Sequence, residues 1–349
     1  MKVPDNYVIS VDAMGGDAGL DVTIPGVDLA LSRHANMRVI LHGDEEKIRA
    51  AAQACPRVLQ RCEIRHSDVA IRMDDKPSLA LRRGRRVSSM WQALEAVRDG
   101  EASVMVSAGN TGALMVMSFF VLKTMPGVKR PALAAMWPTL RGRSIVLDVG
   151  ATIGADAEQL VDYAIMGEAM ARSLFHIEKP TVGLLNVGVE EVKGIEEVKQ
   201  AGRMLREADL PIRYEGFVEG TDIATGKVDV IVTEGFTGNI ALKTAEGTAR
   251  QVAAYLREKI SESLLAKIGA LLARGAFRKL KARLDPSANN GAVFLGLNGI
   301  VVKSHGGADV TGFASAIEIA VDMAKSNLVE KISADMAAKQ PLLDALNRS

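Results

Sequence analysis

The chain alternates short, continuous apolar runs with amphipathic segments of helical length, and this alternation constrains its fold more than any other feature. Nearly all of the apolar runs end in Gly or Asp and read as strands buried on both faces of a sheet. The segments between them, such as residues 156–176 and 194–207, have the length of crossover helices. We therefore predict an α/β fold, a three-layer α/β/α sandwich with a mostly parallel sheet. The predicted strands are 7–13, 37–43, 102–109, 143–150, 181–188, 228–235 and 299–306.

Turns that combine Gly with polar residues follow six of these strands. Because ligands of α/β sheets sit at the carboxyl ends of the strands, we expect the six turns to line one polar crevice on one edge of the sheet. Two of the turns contain Gly-x-Thr-Gly between a strand and a helix, which leaves backbone N–H groups and a hydroxyl at the helix N-terminus and predicts an anion site. The turns are DAMGGD (12–17), SAGNTG (107–112), DVGAT (148–152), NVG (186–188), EGFTGN (234–239) and SHGGAD (304–309).

Composition and missing motifs exclude several classes of function. A net charge of +1 and an aromatic content of 4% argue against a nucleic-acid-binding protein. The dinucleotide, Walker and serine-elbow motifs are absent, so we expect neither a cofactor nor a serine nucleophile. We expect Cys55 and Cys62 to be structural thiols on either side of a turn, and no metal site. The first residues do not resemble a signal peptide, and the most apolar run (113–122) is half as long as a membrane span. We therefore expect a cytoplasmic protein that at most lies on a membrane surface.

The segment at about 245–290 breaks the alternation and is expected to project from the rest of the chain as an amphipathic helical arm. Between residues 260 and 284 aliphatic residues recur at helical spacing opposite basic residues, and Glu262 is the only acid. One interpretation is a dimer helix with a basic outer face, and another is contact with an acidic protein or an anionic membrane. The residues expected to make the contact are Leu264, Leu265, Leu271, Leu272, Arg274, Arg278 and Lys279.

Eight sequence blocks, in the same order, resemble the bacterial phosphate acyltransferases of phospholipid synthesis. The resemblance implies that acyl-acyl-carrier protein and inorganic phosphate are converted to acyl phosphate. It also implies a single α/β/α domain over residues 1–349, similar to phosphate acetyltransferases and isopropylmalate-dehydrogenase-like folds, and a homodimer that associates peripherally with membrane. Thr152, Phe217 and Gly307 depart from the family pattern, so we give them no catalytic role. The blocks are ISVDAMGGD (9–17), DDKPSLALRRGRRVSSM (74–90), VSAGNTGALM (106–115), LDVGA (147–151), VGLLNVGVEEVKG (182–194), VEGTDI (218–223), TEGFTGNIALKTAEG (233–247) and NGIVVKSHGGAD (298–309).

Site residues follow from the turns and from the resemblance. We expect Lys193 to act as a charge clamp, Asn239 to contact phosphate or the carbonyl, and His305 to protonate the leaving thiol. Each has a structural alternative: a solvated lysine, a helix cap and a structural histidine. The arginine run 82–86 is either a solvated face or a contact for the acidic carrier protein. The residues expected to bind phosphate or substrate are Asp12, Gly15, Gly16, Asp17, Asn110, Thr111, Gly112, Thr237, Gly238 and Lys243.

The expected chemistry asks little of the protein. Phosphate is itself the nucleophile and a thiol leaves easily, so the protein must hold phosphate in line with the thioester carbonyl and stabilise the oxyanion. We therefore expect direct displacement without an acyl-enzyme. Two alternatives are a phosphate acetyltransferase that uses coenzyme A, and a non-catalytic membrane scaffold that recruits acyl-carrier protein to a downstream membrane acyltransferase.

Overall fold

The computed structural model describes residues 7–208, 210–284 and 290–346, and its strands within these ranges form one continuous sheet. The inner strands Tyr7–Asp12, Val104–Ser107 and Ile300–Lys303 are almost entirely buried, as their apolar runs predict. The strands are β1 Tyr7–Asp12, β2 Met37–Gly43, β3 Cys62–His66, β4 Val104–Ser107, β5 Ala132–Thr139, β6 Gly142–Leu147, β7 Thr181–Leu185, β8 Arg213–Val218, β9 Val230–Val232, β10 Ala292–Leu295 and β11 Ile300–Lys303.

Helices cover both faces of this sheet and connect most of its parallel strands. Apolar side chains pack in two layers, one between the sheet and each set of helices, which gives the three-layer sandwich that the alternation predicts. In chain order the helices are α1 Leu20–Arg33, α2 Glu45–Ala51, α3 Pro56–Arg61, α4 Pro77–Gly84, α5 Ser89–Arg98, α6 Thr111–Leu122, α7 Ala157–Phe175, α8 Glu196–Glu207, α9 Gly220–Thr225, α10 Gly235–Ser261, α11 Leu264–Leu272, α12 Arg274–Leu284, α13 Val310–Lys325 and α14 Leu328–Leu346.

The sheet has the strand order β3-β2-β1-β4-β11-β10-β5-β6-β9-β7-β8 and consists of two parallel sets. In the first set β1, β2, β3, β4 and β11 run in one direction, and in the second set β6, β7, β8 and β9 are parallel to one another. Strand β5 is antiparallel to both β10 and β6, and β10 is antiparallel to β11. The second set therefore runs opposite to the first.

All seven strands predicted from the sequence are present, and each ends at the predicted residue or up to three residues before it. The prediction missed β3, β5, β8 and β10. Strands β3 and β8 lie at the two edges of the sheet, and their half-exposed faces carry charged residues that hide the strand pattern. The expectation of a turn between Cys55 and Cys62 is wrong, because α3 fills that interval.

The expected arm consists of the outer part of α10 followed by α11 and α12. No residue of α11 is buried, and most are exposed, although α11 packs against α10 and α12. Ser263 caps α11 through its side chain, so the amphipathic stripe is divided between short helices instead of lying on one continuous helix. Within the described residues, no helix is both long enough and apolar enough to cross a membrane.

Buried ionisable groups join α14 to α7 and lead to a prediction about stability. Burial raises the pKa of Glu168 to about 7, although Arg172 lies 3.4 Å away and opposes the shift. A carboxyl group with a raised pKa stabilises the fold when protonated, and this contribution is lost as the pH rises through about 7. We expect Glu168→Gln to raise the unfolding free energy by about 1–2 kcal/mol at pH 8, with a smaller gain at pH 5.

Urea denaturation at both pH values measures this difference. The matched control is Glu178→Gln, which changes an exposed glutamate just beyond α7. A gain for Glu168→Gln that is larger at pH 5 than at pH 8 would contradict the assignment.

Candidate functional site

The six polar turns divide into two groups of three, because the two sets of strands run in opposite directions. The expectation that all six turns lie on one edge of the sheet is therefore wrong. We call residues 12–19, 107–111 and 303–310 the Asp12 turn group, and residues 148–154, 186–194 and 233–239 the Asp148 turn group. Among the described residues, no hydrogen bond or ion pair joins the two groups. Lys193 and Asn239 belong to the Asp148 turn group, whereas His305 belongs to the other.

Asp12 is the buried centre of its group. Its carboxylate accepts hydrogen bonds from the hydroxyl groups of Ser89 and Ser107, each at 2.7 Å. Burial raises the pKa of Asp12, and the two serine bonds oppose that rise. A carboxylate held in this way orients the ends of β1 and β4, which favours the positioning role over direct contact with substrate.

The glycines of this group allow two turns to approach closely. A Cβ atom on Gly15 would lie 2.7 Å from the backbone nitrogen of Gly109, a distance that no side chain tolerates. Gly16 has a φ of +99°, in the region that favours glycine. The amide of Asp17 donates to the carbonyl oxygen of Gly306 at 2.9 Å, which ties the third turn to the first. The predicted residues Gly15, Gly16 and Asp17 therefore lie together.

Asn110 has a structural role in which both the oxygen and the nitrogen of its side chain form hydrogen bonds. Its oxygen accepts from the amide of Ala113 and so caps α6, while its nitrogen donates to the carbonyl oxygens of Met73 and Asp75. The side chain therefore anchors the loop before α4 to the α6 N-terminus. The amides of Thr111 and Gly112 lie in the first turn of α6, which leaves them without helical acceptors and suited to an anion.

The ring of His305 is exposed, and one of its nitrogens is already occupied. Nδ1 accepts from the amide of Gly307 at 3.1 Å, so in the neutral ring the proton lies on Nε2. The backbone of His305 is fixed by a bond from its amide to the side chain of Asn290. This geometry leaves an N–H donor facing outwards; to protonate a leaving group, the ring must first take up a second proton on Nδ1 in place of the bond accepted from Gly307.

Lys303, the last residue of β11, is a feature of this group that the sequence analysis missed. It is 7% exposed, and burial lowers its pKa to about 8. The available signal was a lysine that ends the apolar run IVVK, where an exposed position would be the ordinary expectation. The pattern indicates a strand but assigns no role to the charge at its end.

Asp148 is the buried centre of the second group. Its carboxylate accepts from the amides of Leu133, Gly150, Ala151 and Thr152, and from the hydroxyl of Thr152. These bonds fix the turn after β6 and connect it to β5. Thr152, a departure from the family pattern, therefore stabilises the turn that it occupies.

The N-terminus of α10, where the sequence predicts an anion, is capped by the chain's own carboxylate. Glu234 accepts from the amides of Phe236 and Thr237 at 2.8 and 2.7 Å, and also from that of Gly154. Although burial opposes ionisation, these bonds lower the pKa of Glu234. An incoming anion at Thr237 would have to displace this cap or bind beside it.

Asn239 lies one turn into α10 and faces the Asp148 turn. Its side-chain nitrogen donates to the carbonyl oxygen of Val149 at 3.2 Å, and it fills the space beside Gly150. Gly238 packs even more closely, because a Cβ atom there would lie 1.9 Å from the backbone oxygen of Asp148. Both residues thus have packing roles in addition to the contacts predicted from the sequence.

The two predicted lysines of this group are exposed. Lys193 forms an ion pair with Glu190 at 2.8 Å, and this partner raises its pKa. Lys243 lies on the exposed side of α10, one turn beyond Asn239. Neither lysine is bound to the buried part of the group, so both are free to turn towards a ligand.

A basic surface borders the Asp12 turn group. From residue 72 to residue 86 the chain has six Arg or Lys residues and two Asp residues. Arg83 bonds the carbonyl oxygen of Ala70, and Arg72 pairs with Asp74. The α4 basic face, which we define as Lys76, Arg82, Arg85 and Arg86, is exposed and has no ion pair within the described residues.

One surface depression lies away from both groups, and another borders the Asp148 turn group, whose Val189 and Glu191 help to line it. The first, of about 360 Å³, lies beside the β5–β6 hairpin, and the second, of about 450 Å³, lies beside β8. No predicted site residue lines either of them.

Comparison with known proteins gives strong matches over almost the whole chain. The family described as fatty acid synthesis protein matches residues 7–331. The phosphate acyltransferase of Parvibaculum lavamentivorans is 62% identical over 328 residues, 94% of this chain and 91% of the relative. The phosphate acyltransferase of Brucella canis is 61% identical over 330 residues, 94% of this chain and 95% of the relative.

Solved structures with a similar fold are far more distant in sequence. A phosphotransacetylase from Streptococcus pyogenes superposes with a TM-score of 0.62 at 16% identity, covering 94% of this chain and 95% of that one. A branched-chain phosphotransacylase from Enterococcus faecalis gives a TM-score of 0.55 at 12% identity, covering 92% and 99%. At such low identity the likeness concerns the fold alone, and it confirms the predicted sandwich.

Proposed function

The chain belongs to the fatty acid synthesis protein family, as a homologue of phosphate acyltransferases, and from that premise we propose that it transfers a fatty acyl group from acyl-acyl-carrier protein to inorganic phosphate. The product is acyl phosphate for phospholipid synthesis. The observation that carries the proposal is an identity of 61–62% over 94% of the chain with proteins of that name.

We propose that phosphate attacks the thioester directly. A phosphate oxygen forms a bond to the carbonyl carbon, the carbon–sulfur bond breaks, and the thiolate accepts a proton from Nε2 of His305, whose ring must be doubly protonated for this step and returns to its neutral form after it. Neither cysteine suits the role of nucleophile, because burial raises the pKa of Cys62 to about 12 and also raises that of Cys55. Orientation of phosphate against the carbonyl supplies about 7–11 kcal/mol in well-aligned systems.

We propose that both turn groups serve this reaction. Neighbouring strands twist by about 20–25°, so five steps across the sheet from β4 to β9 rotate the strand direction by roughly 100–125°. Without twist, the carboxyl ends of the two antiparallel sets would point in opposite directions. The rotation reduces the angle between them to about 55–80°. The Asp12 turn group would hold phosphate, while Asn239 and Lys193 would contact the acyl carbonyl from the other side.

One assay tests the function. Purified protein is mixed with phosphate and palmitoyl-acyl-carrier protein, and acyl phosphate and free thiol are followed together. The two should appear in equal amounts and only when phosphate is present. Faster turnover of acetyl-coenzyme A would identify a phosphate acetyltransferase, and no turnover of either thioester would favour the membrane scaffold. A phosphate-releasable acyl group on any side chain would contradict direct displacement.

We propose that the carrier protein docks on the α4 basic face. The loop before α4 is bonded to Asn110, so a partner seated there would present its thioester to the Asp12 turn group. The cations of the α4 basic face, which lie beside the exposed side chain of Leu79, would attract an acidic surface. Charges at the rim of an interface act mainly on association rate and depend on salt.

Charge reversal tests this contact. Arg82→Glu/Arg86→Glu should raise KM for the carrier protein about tenfold at low salt and less at high salt, with kcat nearly unchanged. The matched control is Lys179→Glu/Arg213→Glu, which reverses the charge of two exposed residues at the other end of the sheet. An equal rise in both variants would show a general effect of net charge and would remove α4 as the docking site.

We further propose a homodimer that binds anionic membrane peripherally through α11 and α12, and that delivers acyl phosphate to a membrane acyltransferase. The support is the exposed apolar stripe beside basic residues. Leu264, Leu265, Leu271 and Leu272 are 68–83% exposed, and Arg274, Arg278 and Lys279 follow within two turns.

A further inference from the structure

A buried ammonium group lies where the three turns of the Asp12 turn group meet. Lys303 ends β11, beside the end of β4, and its Nζ donates to the carbonyl oxygens of Ala108 and Ser304. An ammonium group has three donors, so these two bonds leave one N–H without an acceptor among the described residues. A buried polar group with an unused donor requires an explanation, since burial without a partner is costly.

The charge of Lys303 has no direct counter-ion. Within the described residues no carboxylate lies within 4 Å of Nζ, although Asp12 and Asp17 act on it at longer range. Asp12 is already bonded to two serine hydroxyls, and Asp17 is exposed in its turn. A charge buried in this way is stabilised most by an anion that enters the site from outside.

Bare backbone surrounds the ammonium group. A Cβ atom on Gly16 or on Gly306 would lie 3.8 or 3.7 Å from the carbonyl oxygen of Ala108, the same oxygen that accepts from Lys303. The two glycine turns therefore lie near Nζ, and the end of the exposed Met73 side chain, 2.5 Å from where a Cβ atom of Gly306 would stand, is the flexible group that a ligand would have to displace there. The α6 N-terminus, with the amides of Thr111 and Gly112, follows Ala108 directly.

We propose that Lys303 supplies the positive charge that binds inorganic phosphate at the Asp12 turn group. This inference rests on the proposed function and assigns its phosphate subsite to one turn group. The lysine contributes a charged hydrogen bond, and the glycine turns contribute backbone amides, which together match the oxygens of a phosphate dianion.

The environment of Lys303 predicts how phosphate binding depends on pH. Burial lowers the pKa of Lys303 to about 8, and Asp17 and Asp12 oppose that shift. The other titratable groups nearby are His305 and Asp309 in the same turn and His42 in β2, whose pKa burial lowers to about 4. Phosphate is already dianionic near pH 8, so its affinity should fall as the pH rises through about 8 and Lys303 loses its charge.

Direct binding of inorganic phosphate to the whole protein, measured by calorimetry without any thioester, tests the inference. At pH 7, Lys303→Met should weaken phosphate binding at least tenfold. Lys303→Arg should bind phosphate at pH 7 and lose the decline between pH 7 and 9, because a guanidinium stays charged. The matched control is Lys339→Met, which removes an equally buried lysine in α14 that pairs with Asp162.

Two results would overturn the assignment. One is unchanged phosphate affinity in a folded Lys303→Met protein. The other, which needs no variant, is wild-type affinity that stays constant from pH 7 to pH 9. In turnover assays Lys303→Met should raise KM for phosphate much more than it lowers kcat, whereas a purely structural role would lower the melting temperature and leave that KM unchanged.

The outcome is separable from that of the proposed function. Wild-type protein that binds phosphate with this pH dependence but releases no thiol from acyl-carrier protein would refute the acyl transfer alone. If the wild-type protein makes acyl phosphate and the Lys303→Met variant has the same KM for phosphate, only the role of Lys303 is refuted.

Discussion

Replacing Gly238 by alanine should lower the unfolding free energy by about 3 kcal/mol or more, as measured by urea denaturation. An added Cβ atom would lie 1.9 Å from the backbone oxygen of Asp148, and a backbone atom cannot turn aside as a flexible side chain can. The Asp148 turn is also held by four backbone amides and a hydroxyl, so moving it would disturb several buried hydrogen bonds. A small local shift of the backbone therefore cannot relieve the clash.

The same helix supplies a matched control. Gly247 also lies within α10, but a Cβ atom there would meet nothing within 4 Å. Gly247→Ala should therefore raise the unfolding free energy by about 0.5–1 kcal/mol, because alanine has the higher helix propensity. Gly238→Ala that is as stable as the wild type would show that α10 and the Asp148 turn are not this close. Full stability combined with lost phosphate binding would instead restore the ligand-contact role predicted for Gly238.

Leu271→Glu/Leu272→Glu should reduce binding to vesicles of anionic phospholipid at least about 100-fold while leaving the fold intact. Each leucine contributes about 1.5–3 kcal/mol when its side chain leaves water for lipid. The nearby cations contribute about 1 kcal/mol each at an anionic surface, which makes the attachment reversible and dependent on salt. The two side chains are 68% and 83% exposed, so the substitution removes little internal packing.

Vesicle co-sedimentation, thermal unfolding and sedimentation velocity together decide what the stripe binds. Leu59→Glu, a half-exposed leucine on α3, is the control for adding a charge elsewhere on the surface. Dissociation into monomers with unchanged lipid affinity would identify the stripe as a dimer contact. A rise only in KM for the carrier protein would identify it as a docking site for that partner. Either result would end the proposed lipid role.

Much of the architecture was predictable because strands buried on both faces leave a clear pattern. The runs YVISVD and MRVILHG are β1 and β2, since a short, mostly apolar run that is rich in β-branched residues is typical of a strand buried on both faces. The family resemblance was equally readable and is confirmed over residues 7–331. The pattern does not indicate the direction of each strand in the sheet, because apolar runs look the same in parallel and antiparallel strands.

The sequence by itself determined the sandwich, the family and the polar character of the strand ends. Only the tertiary structure decided that β5 and β10 reverse the direction of the sheet, and so divide six similar turns into two groups. It also decided which polar atoms were already used: Glu234 caps α10, Asn110 caps α6, and Lys303 keeps one donor unassigned. The physical reason is that periodicity depends on neighbours along the chain, whereas strand direction, burial and hydrogen-bond partners depend on residues up to 285 positions apart.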